Sequence, residues 1–491
     1  MKKLLWAFPL LAILWRPACG DIISGEFVSW TDFSYINTIS ISNNIVYFGT
    51  TDGITRYQRF DDRYLDPITK SNGLPATNIR RIAVTFDDQE ITIETDQGIY
   101  DYSQGIDHWF LESNFPTEYY RDSRPGTPLP RLYPPFSYTM YPEGYFEDTY
   151  FRRFDITAWL GDNFQDIFIG TWGMGAAKAD DRDYTTVFLP YGLLQKTTDA
   201  IYIDGDSIWV AGNPGDQLAT YPDMRYGVTL FDRANQTFTY FEPRLIDGFD
   251  SEAIYDIAGD EKNIYFAGQQ GLTILDRQTE QFYTLSLNTG LPDNEATAVA
   301  VAPDSIWVGT ADGLALYLPS IDSVHVIGSR ILGGRFITDL KIAGGRLIIG
   351  TDQGAFYIDL ARQKIGRLRD PDGSLGSNIR HISVSGDEIL VSSEMGVTLI
   401  DIKTEKASAV PYTAVANGAY AAAANDRFIA AATDDGLVMI ERETGKSRTF
   451  TEDDGLLSVN INALVPDGDY LWIGSEEGLT RFSWLDSRRV Y

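Results

Sequence analysis

A glycine recurs at a nearly fixed interval through the second half of this chain. Gly271, Gly313, Gly354, Gly396, Gly436 and Gly478 are spaced 42, 41, 42, 40 and 42 residues apart. Each closes a turn between two apolar runs. Residues 306–317, Ile-Trp-Val-Gly-Thr-Ala-Asp-Gly-Leu-Ala-Leu-Tyr, are the clearest copy; LWIGSEEGLTRF from Leu471 and IVYFGTTDGITRY from Ile45 repeat it. A unit of this length with several short strands cannot bury its apolar faces alone and has to stack on its neighbours. The period is that of a β-propeller blade.

Ten such units are read along the chain, around Ile45, Ile91, Ile167, Ile208, Ile264, Ile306, Leu347, Ile389, Ile429 and Leu471. Within residues 290–330 four strands are predicted: A at 296–302, B at 306–309, C at 314–318 and D at 324–327. Strands B and C are apolar at nearly every position, as strands covered on both faces are. Asp312 followed by Gly313 suits a type I turn closed by a left-handed residue. The expected fold is therefore all-β, a β-propeller of about ten four-stranded repeats. One ten-bladed ring, two smaller rings, or one ring with degenerate units all fit. The lack of a Gly-, Ser- or Pro-rich linker among the later units favours a single large ring. A ring also needs a seam, because an open edge strand invites aggregation. Phe27–Trp30 and Arg488–Tyr491 are both candidates for the closing strand D.

The net charge is −29. That excess repels phosphate backbones, so no nucleic-acid partner is expected. Aromatic residues make up 13% of the chain, which excludes a disordered class. Residues 1–20 read as a signal peptide, with Lys2 and Lys3 before an apolar run from Leu4 to Trp15 and small residues Ala18, Cys19 and Gly20 behind it. The run is short for a bilayer, and no other stretch approaches a span. The expectation is export without a transmembrane span, to the periplasm, an anchored position at the outer membrane, or the cell surface of a bacterium. Cys19 is the only cysteine, so no intrachain disulfide is possible. Two readings of the leader stay open. Cys19 is the lipidated first residue of a lipoprotein, which Ala18 fits and Arg16 does not, or ordinary cleavage follows Gly20.

The unit resembles the two-component regulator propeller repeat. That family's pattern is a strand A, then LWIGT-x-x-GL-x-x-Y/F-D, a short strand D and a Gly-Leu-Pro loop. LWIGSEEGLTRF and IWVGTADGLALY match it, Asp276 keeps the terminal Asp, and Gly73-Leu74-Pro75 and Gly290-Leu291-Pro292 keep the loop. The resemblance runs over residues 25–491. It implies a propeller of the kind found in periplasmic sensor regions, and in secretion and assembly factors of the bacterial surface. Sensors of the family continue into a membrane span, a kinase and a DNA-binding region, which are not found in this sequence, so signalling is not carried over.

Departures from the repeat are where a function is sought. Residues 112–152 enlarge the loop before the third unit, and residues 213–226 enlarge the B–C turn of the fourth. Strand parity puts both on one face, with Trp172. The first insertion holds seven tyrosines. Tyr and Arg suit surfaces that are apolar on one side and wet on the other. The candidate binding residues are Arg131, Tyr133, Tyr138, Tyr141, Tyr145 and Trp172, for a protein partner or a glycan. The competing reading is that this loop folds back to plug the ring or cap an exposed edge.

Chemistry has little local signature. His108, His325 and His381 are scattered, and no nucleophile elbow, zinc-protease motif or phosphate loop is present. The pairs Asp434-Asp435 and Glu476-Glu477 occupy B–C turns and read as turn chemistry. Asp370-Pro371-Asp372-Gly373 lacks the ligand pattern of a calcium loop. No cofactor and no metal are expected. The leading reading is a non-enzymatic, exported propeller with a decorated face. The alternative is a glycan- or peptide-active hydrolase or lyase in the central channel, where Arg80, Lys341 and His381 are candidates to face the lumen. A structural assembly factor of the envelope is the third.

Overall fold

The computed structural model describes residues 27–103, 108–123, 129–162, 164–215, 224–327, 331–368, 373–404, 406–411, 415 and 417–484. The leader with Cys19, residues 369–372, Arg488–Tyr491 and positions 216–223 of the second insertion lie outside the described residues.

The chain is all-β. Among the described residues ten antiparallel sheets follow one another, numbered here as blades 1 to 10. Blade 1 begins at Ile36, blade 2 at Ile79, blade 3 at Tyr138, blade 4 at Ala200 and blade 5 at Ile254. Blades 6 to 10 begin at Ala296, Ile337, Ile379, Ala421 and Ile461. In blade 6 the strands are Ala296–Ala302, Ser305–Thr310, Gly313–Leu318 and Ser323–Val326, each predicted end displaced by at most one residue. The turn is held as its sequence implies. Thr310 Oγ1 donates to the Gly313 carbonyl at 2.9 Å, and Gly313 has φ +120°. Thr50 with Gly53, Thr351 with Gly354, and Ser475 with Gly478 repeat the bond.

The other glycine of the repeat, in strand B, marks where blades meet. A Cβ on Gly309 of blade 6 would lie 2.5 Å from Ile337 of blade 7, and one on Gly350 of blade 7 would lie 2.8 Å from Ile379 of blade 8. These glycines have ordinary backbone angles; they are small because the next inner strand passes over them. The same contact identifies neighbours that are distant in sequence. Gly474 of blade 10 faces Thr198 at the start of blade 4, 2.7 Å from a Cβ, and Thr198 N donates to the Ser475 carbonyl. Gly170 of blade 3 faces Ile36 of blade 1, and Gly49 of blade 1 faces Ile79 of blade 2.

Blades 4 to 10 therefore close on themselves as a seven-bladed ring, and blades 3, 1 and 2 stand in that order as a three-bladed arc. The expectation of one large ring is corrected by these contacts. Rings of four to eight blades are the usual range, and ten wedges around one axis exceed it. The seam is as expected at one of the two candidates. Phe27–Trp30 is strand D of blade 10, paired with Gly478–Ser483 from Phe27 against Phe482 to Trp30 against Leu479. From Phe27 onward the path thus runs from the last blade of the ring to the arc and back. Arc and ring share one buried core. Trp30 touches Trp472 and Phe231 in the ring, while Phe33 stacks on Tyr191, which also meets Tyr64 and Phe238.

Candidate functional site

The Tyr-rich insertion is mostly a cap. Blade 2 turns Arg81, Thr92, Glu94 and Asp101 away from blade 1, and residues 113–123 cover that polar side. The Arg81 guanidinium lies 4.4 Å from the Phe115 ring centroid, and the Tyr119 hydroxyl is 3.3 Å from Thr92 Oγ1. The segment then reaches the inner strands, where buried Ser123 accepts the Ile39 amide through its Oγ at 2.9 Å and the Trp159 amide through its carbonyl at 2.7 Å.

Beyond it, Tyr138–Tyr141 and Tyr145–Asp148 form a hairpin that makes blade 3 six-stranded, where four were expected. The hairpin lies over the side of blade 3 that faces away from blade 1. Leu132 and Phe146 are buried there with Ile167, Ile169 and Ala177, and the Tyr138 and Phe146 rings both meet Phe188 edge-on. Two end faces that a closed ring would bury are covered in this way.

The proposed binding residues consequently do not form one cluster. Tyr133 is 51% exposed and has the Arg131 guanidinium 5.7 Å from its ring, but its backbone is tied to Tyr184 and Thr186 at the C–D turn of blade 3. Tyr138 is turned inward onto Phe188, and burial raises its phenol. Tyr141 and Tyr145 sit at the opposite end of the blade. Their rings stack 4.7 Å apart at 9°, the Arg153 guanidinium lies 4.3 Å from the Tyr145 ring, and the Tyr141 hydroxyl donates to Glu147 at 3.0 Å.

Trp172 belongs to this second group through one residue. Asp155 pairs with Tyr145 across the ladder, forms an ion pair with Arg153 at 2.6 Å, and accepts the Trp172 amide through its carbonyl at 2.8 Å. Trp172 is 45% exposed, and its ring meets Tyr35 edge-on at 5.1 Å. Tyr141, Tyr145 and Arg153 thus make one aromatic and cationic group, and Trp172 with Tyr35 makes a second that is tied to it through the Asp155 backbone. Sequence reasoning missed Arg153, which opens a regular strand, and Tyr35, which directly precedes one; both lie outside the insertion.

The two insertions meet at a buried ion network. Arg152 donates to Asp148 at 2.7 Å and to Glu242 of blade 4 at 2.6 Å, and Arg225, from the second insertion, donates to the other Glu242 oxygen at 2.8 Å. Two cations and two carboxylates balance, so each buried charge has a partner.

A second constellation lines the channel of the ring, a cavity of about 610 Å³ bounded by the inner strands of blades 4 to 10. A β-bulge near the start of the inner strand places Asp256, Asp339 and His381 at equivalent positions in blades 5, 7 and 8. Each aspartate spans to the next blade. Asp256 accepts the Val299 amide at 2.9 Å, and Asp339 accepts the Ile382 amide at 2.6 Å. These are amides of innermost strands, which have no ladder partner on the lumen side. Lys341 Nζ donates to Asp339 at 2.8 Å, and His381 Nε2 lies 4.0 Å from the same carboxylate.

Burial pushes the Asp256 carboxyl up to about 6. Burial is the largest single influence on Asp339 and raises it, but the Lys341 ammonium, His381 and the hydrogen bonds from Lys341 and the Ile382 amide together hold that carboxyl below its usual range. Burial lowers the His381 imidazole, which keeps it neutral at pH 7. Asp199, which accepts the Asn213 amide and the Asn462 side chain, is pushed up to about 6 by burial. Lys341 and His381 thus line the channel as the sequence suggested, whereas Arg80 belongs to the arc, and His108 and His325 are exposed on outer strands. Equivalent spacing of Asp256, Asp339 and His381 within the repeat was the signal for this set. Among the described residues no group of His, Cys, Asp and Glu has the geometry to hold a metal ion.

No family model matches this sequence. No curated protein matches it either. Solved structures do. PorZ, an essential bacterial surface component of the type-IX secretion system of Porphyromonas gingivalis, is similar with a TM-score of 0.50 at 15% identity, over 91% of this chain and 68% of that one. The extracellular domain of BT4673 from B. thetaiotaomicron, described as a hybrid two-component system, is similar with a TM-score of 0.47 at 16% identity, over 92% of this chain and 70% of that one. Virginiamycin B lyase of Staphylococcus aureus covers 59% of this chain with 95% of its own length, at 10% identity and a TM-score of 0.45. At these identities the likeness speaks to fold alone. No helix among the described residues is long and apolar enough to cross a membrane.

Proposed function

We propose that this chain is an exported β-propeller that binds a protein partner or a glycan on the aromatic edge of blade 3, as a member of the two-component regulator propeller repeat family. One observation carries the reading. Two tyrosines in parallel stack, an arginine over one of them and a half-exposed tryptophan stand together on a framework of strand hydrogen bonds. Aromatic rings and Arg are what interfaces and sugar sites use for contact area at low entropic cost. The cap beneath this edge keeps it in place, so plugging and binding are two jobs of one insertion.

Export fits the sequence of residues 1–20 and the surface character of PorZ. Lipidation at Cys19 is part of the same proposal, tested by palmitate incorporation against Cys19→Ala. The hydrolase or lyase alternative needs a carboxylate that is free to move a proton. Asp256, Asp339 and Asp199 are each committed to main-chain amides, which favours binding over chemistry.

The test uses point substitutions. Removing residues 116–150 would strip the covers from blades 2 and 3 and report on folding. Tyr145→Ala with Trp172→Ala removes contact area at one half-buried and one exposed position. Loss of capture from an envelope extract and of binding on a glycan array, with an unchanged melting temperature, is expected; retained binding to the same targets contradicts the proposal.

A further inference from the structure

The turns at the end of the arc opposite Trp172 hold out one phenylalanine from each blade. Phe164 is in the A–B turn of blade 3, Phe60 in the C–D turn of blade 1 and Phe86 in the A–B turn of blade 2. They are 55%, 58% and 70% exposed. A buried ion pair sets two of them. Arg59 Nη1 donates to Asp162 Oδ2 at 2.9 Å, and Asp162 Oδ1 accepts the Phe164 and Asp166 amides at 2.7 and 3.0 Å. The Arg59 guanidinium lies 4.8 Å from the Phe60 ring and 4.6 Å from the Phe164 ring, and the two rings meet edge-on at 5.4 Å. Phe86 joins the row through the main chain. The Asn43 amide donates to the Phe86 carbonyl at 2.9 Å, and the Asn43 carbonyl accepts from Arg59. Large apolar rings held in water by buried charge are the make-up of an interface, where rigid aromatic anchors carry the binding.

Charge says what covers the row. Asp61 and Asp87 are exposed next to Phe60 and Phe86, and exposed Asp181 is tied by its amide to the Gln165 carbonyl, next to Phe164. Beside Phe60 and Phe164 a cleft of about 580 Å³ opens between blades 1 and 3. Asp62, Asp166, Asp180 and Asp183 line it around the Lys178 ammonium, which lies 3.2 Å from both Asp62 and Asp166. Arg59 offsets none of this, because its side chain is 3% exposed and already paired with Asp162. A surface of this sign repels a second copy of a chain with net charge −29, and it repels an anionic bilayer. It draws in cations.

We propose that this end of the arc docks a basic amphipathic segment of a partner protein. Its Lys or Arg side chains enter the cleft, and its apolar side chains cover Phe60, Phe164 and Phe86. The proposal does not depend on the blade 3 edge, since Phe164 and Trp172 lie at opposite ends of strand B of blade 3.

Fluorescence anisotropy of the full chain with a labelled peptide of alternating arginine and leucine tests it, beside peptides of alternating glutamate and leucine and of alternating arginine and serine. The arginine–leucine peptide should bind, and the other two should be weaker by about tenfold or more. Phe60→Ser with Phe164→Ser should weaken binding by about tenfold or more, the loss expected of two interface aromatics. Asp62→Asn with Asp183→Asn should weaken it and flatten its dependence on salt. Tyr145→Ala should leave it unchanged. If the double phenylalanine variant melts below wild type, Phe86→Ser, on a turn outside the ion pair, takes its place with an expected weakening of about fivefold. No anisotropy change with the chain at about 100 μM overturns the proposal. So does equal binding of the glutamate–leucine peptide, or binding that survives the phenylalanine substitutions. Phenylalanine-dependent binding to phosphatidylcholine vesicles would overturn it as well, by making a bilayer the occupant.

Discussion

Tyr64 and Tyr191 stack with ring centroids 4.0 Å apart at 19°, and each hydroxyl donates to a carbonyl beside the other ring, Tyr64 to Leu189 at 3.1 Å and Tyr191 to Leu65 at 2.7 Å. Tyr64 is in the outer strand of blade 1, and Tyr191 is on the segment that leads from the arc back to the ring. This reciprocal pair joins the two bodies. Tyr191→Ala removes the ring and leaves the Tyr64 hydroxyl partner intact, so it should cost about 3–5 kcal/mol, the usual loss for a large buried aromatic. The expected readout in thermal unfolding is a lower, separate transition for the arc. A single transition at the wild-type temperature would show that the pair does not couple them.

The seam of the ring should be sensitive at a glycine. Gly474→Val would drive a side chain into Thr198 Cγ2 and the Thr198 carbonyl, both 2.7 Å from the added Cβ. Overpacking of this kind costs about 1–3 kcal/mol, more where backbone is struck. Chemical denaturation should show a lower midpoint. An unchanged midpoint would contradict the close approach of Thr198 to strand B of blade 10.

Phe146 is the keystone of the cap on blade 3, fully buried between the hairpin and Phe188. Phe146→Ala should cost about 3–5 kcal/mol and expose apolar surface, seen as increased binding of a hydrophobic dye at temperatures where the ring remains folded. Unchanged dye binding would mean that blade 3 needs no cover.

These cases show what was legible in the sequence. The period, the strands and the turn at Thr310–Gly313 are local, and local pattern reveals them. Closure is not local. Whether Gly474 meets Ile36 or Thr198 depends on which blade arrives, and both partners sit at the same point of their repeats. One hint was available. The second unit, ITIETDQGIYDY, alternates polar residues where other units are apolar, as the end face of an open arc would. Tyrosine content marked the insertion but could not separate Tyr138, turned onto Phe188, from Tyr145, turned outward.

The channel should report pH through Asp199, whose carboxyl is held at about 6 in the folded chain against 3.8 in the ordinary case. A folded value above the unfolded one means that the group stabilises below the unfolded value. That stabilisation is lost as pH rises through about 6. Asp199→Asn removes the ionisation, so the variant's melting temperature relative to wild type should rise between pH 4.5 and pH 7.5. The stability difference behind that rise is at most on the order of 2 kcal/mol. A difference that is flat with pH would place Asp199 in contact with water.

The most direct measurement of the binding proposal compares wild type with the Tyr145→Ala, Trp172→Ala double variant in capture from an envelope extract and on a glycan array. Both chains are first matched for melting temperature. A target held by wild type and lost by at least tenfold in the double variant is the predicted result. Equal binding by the two chains would contradict it, leaving the stacked Tyr141–Tyr145 pair and Trp172 as parts of the cap alone.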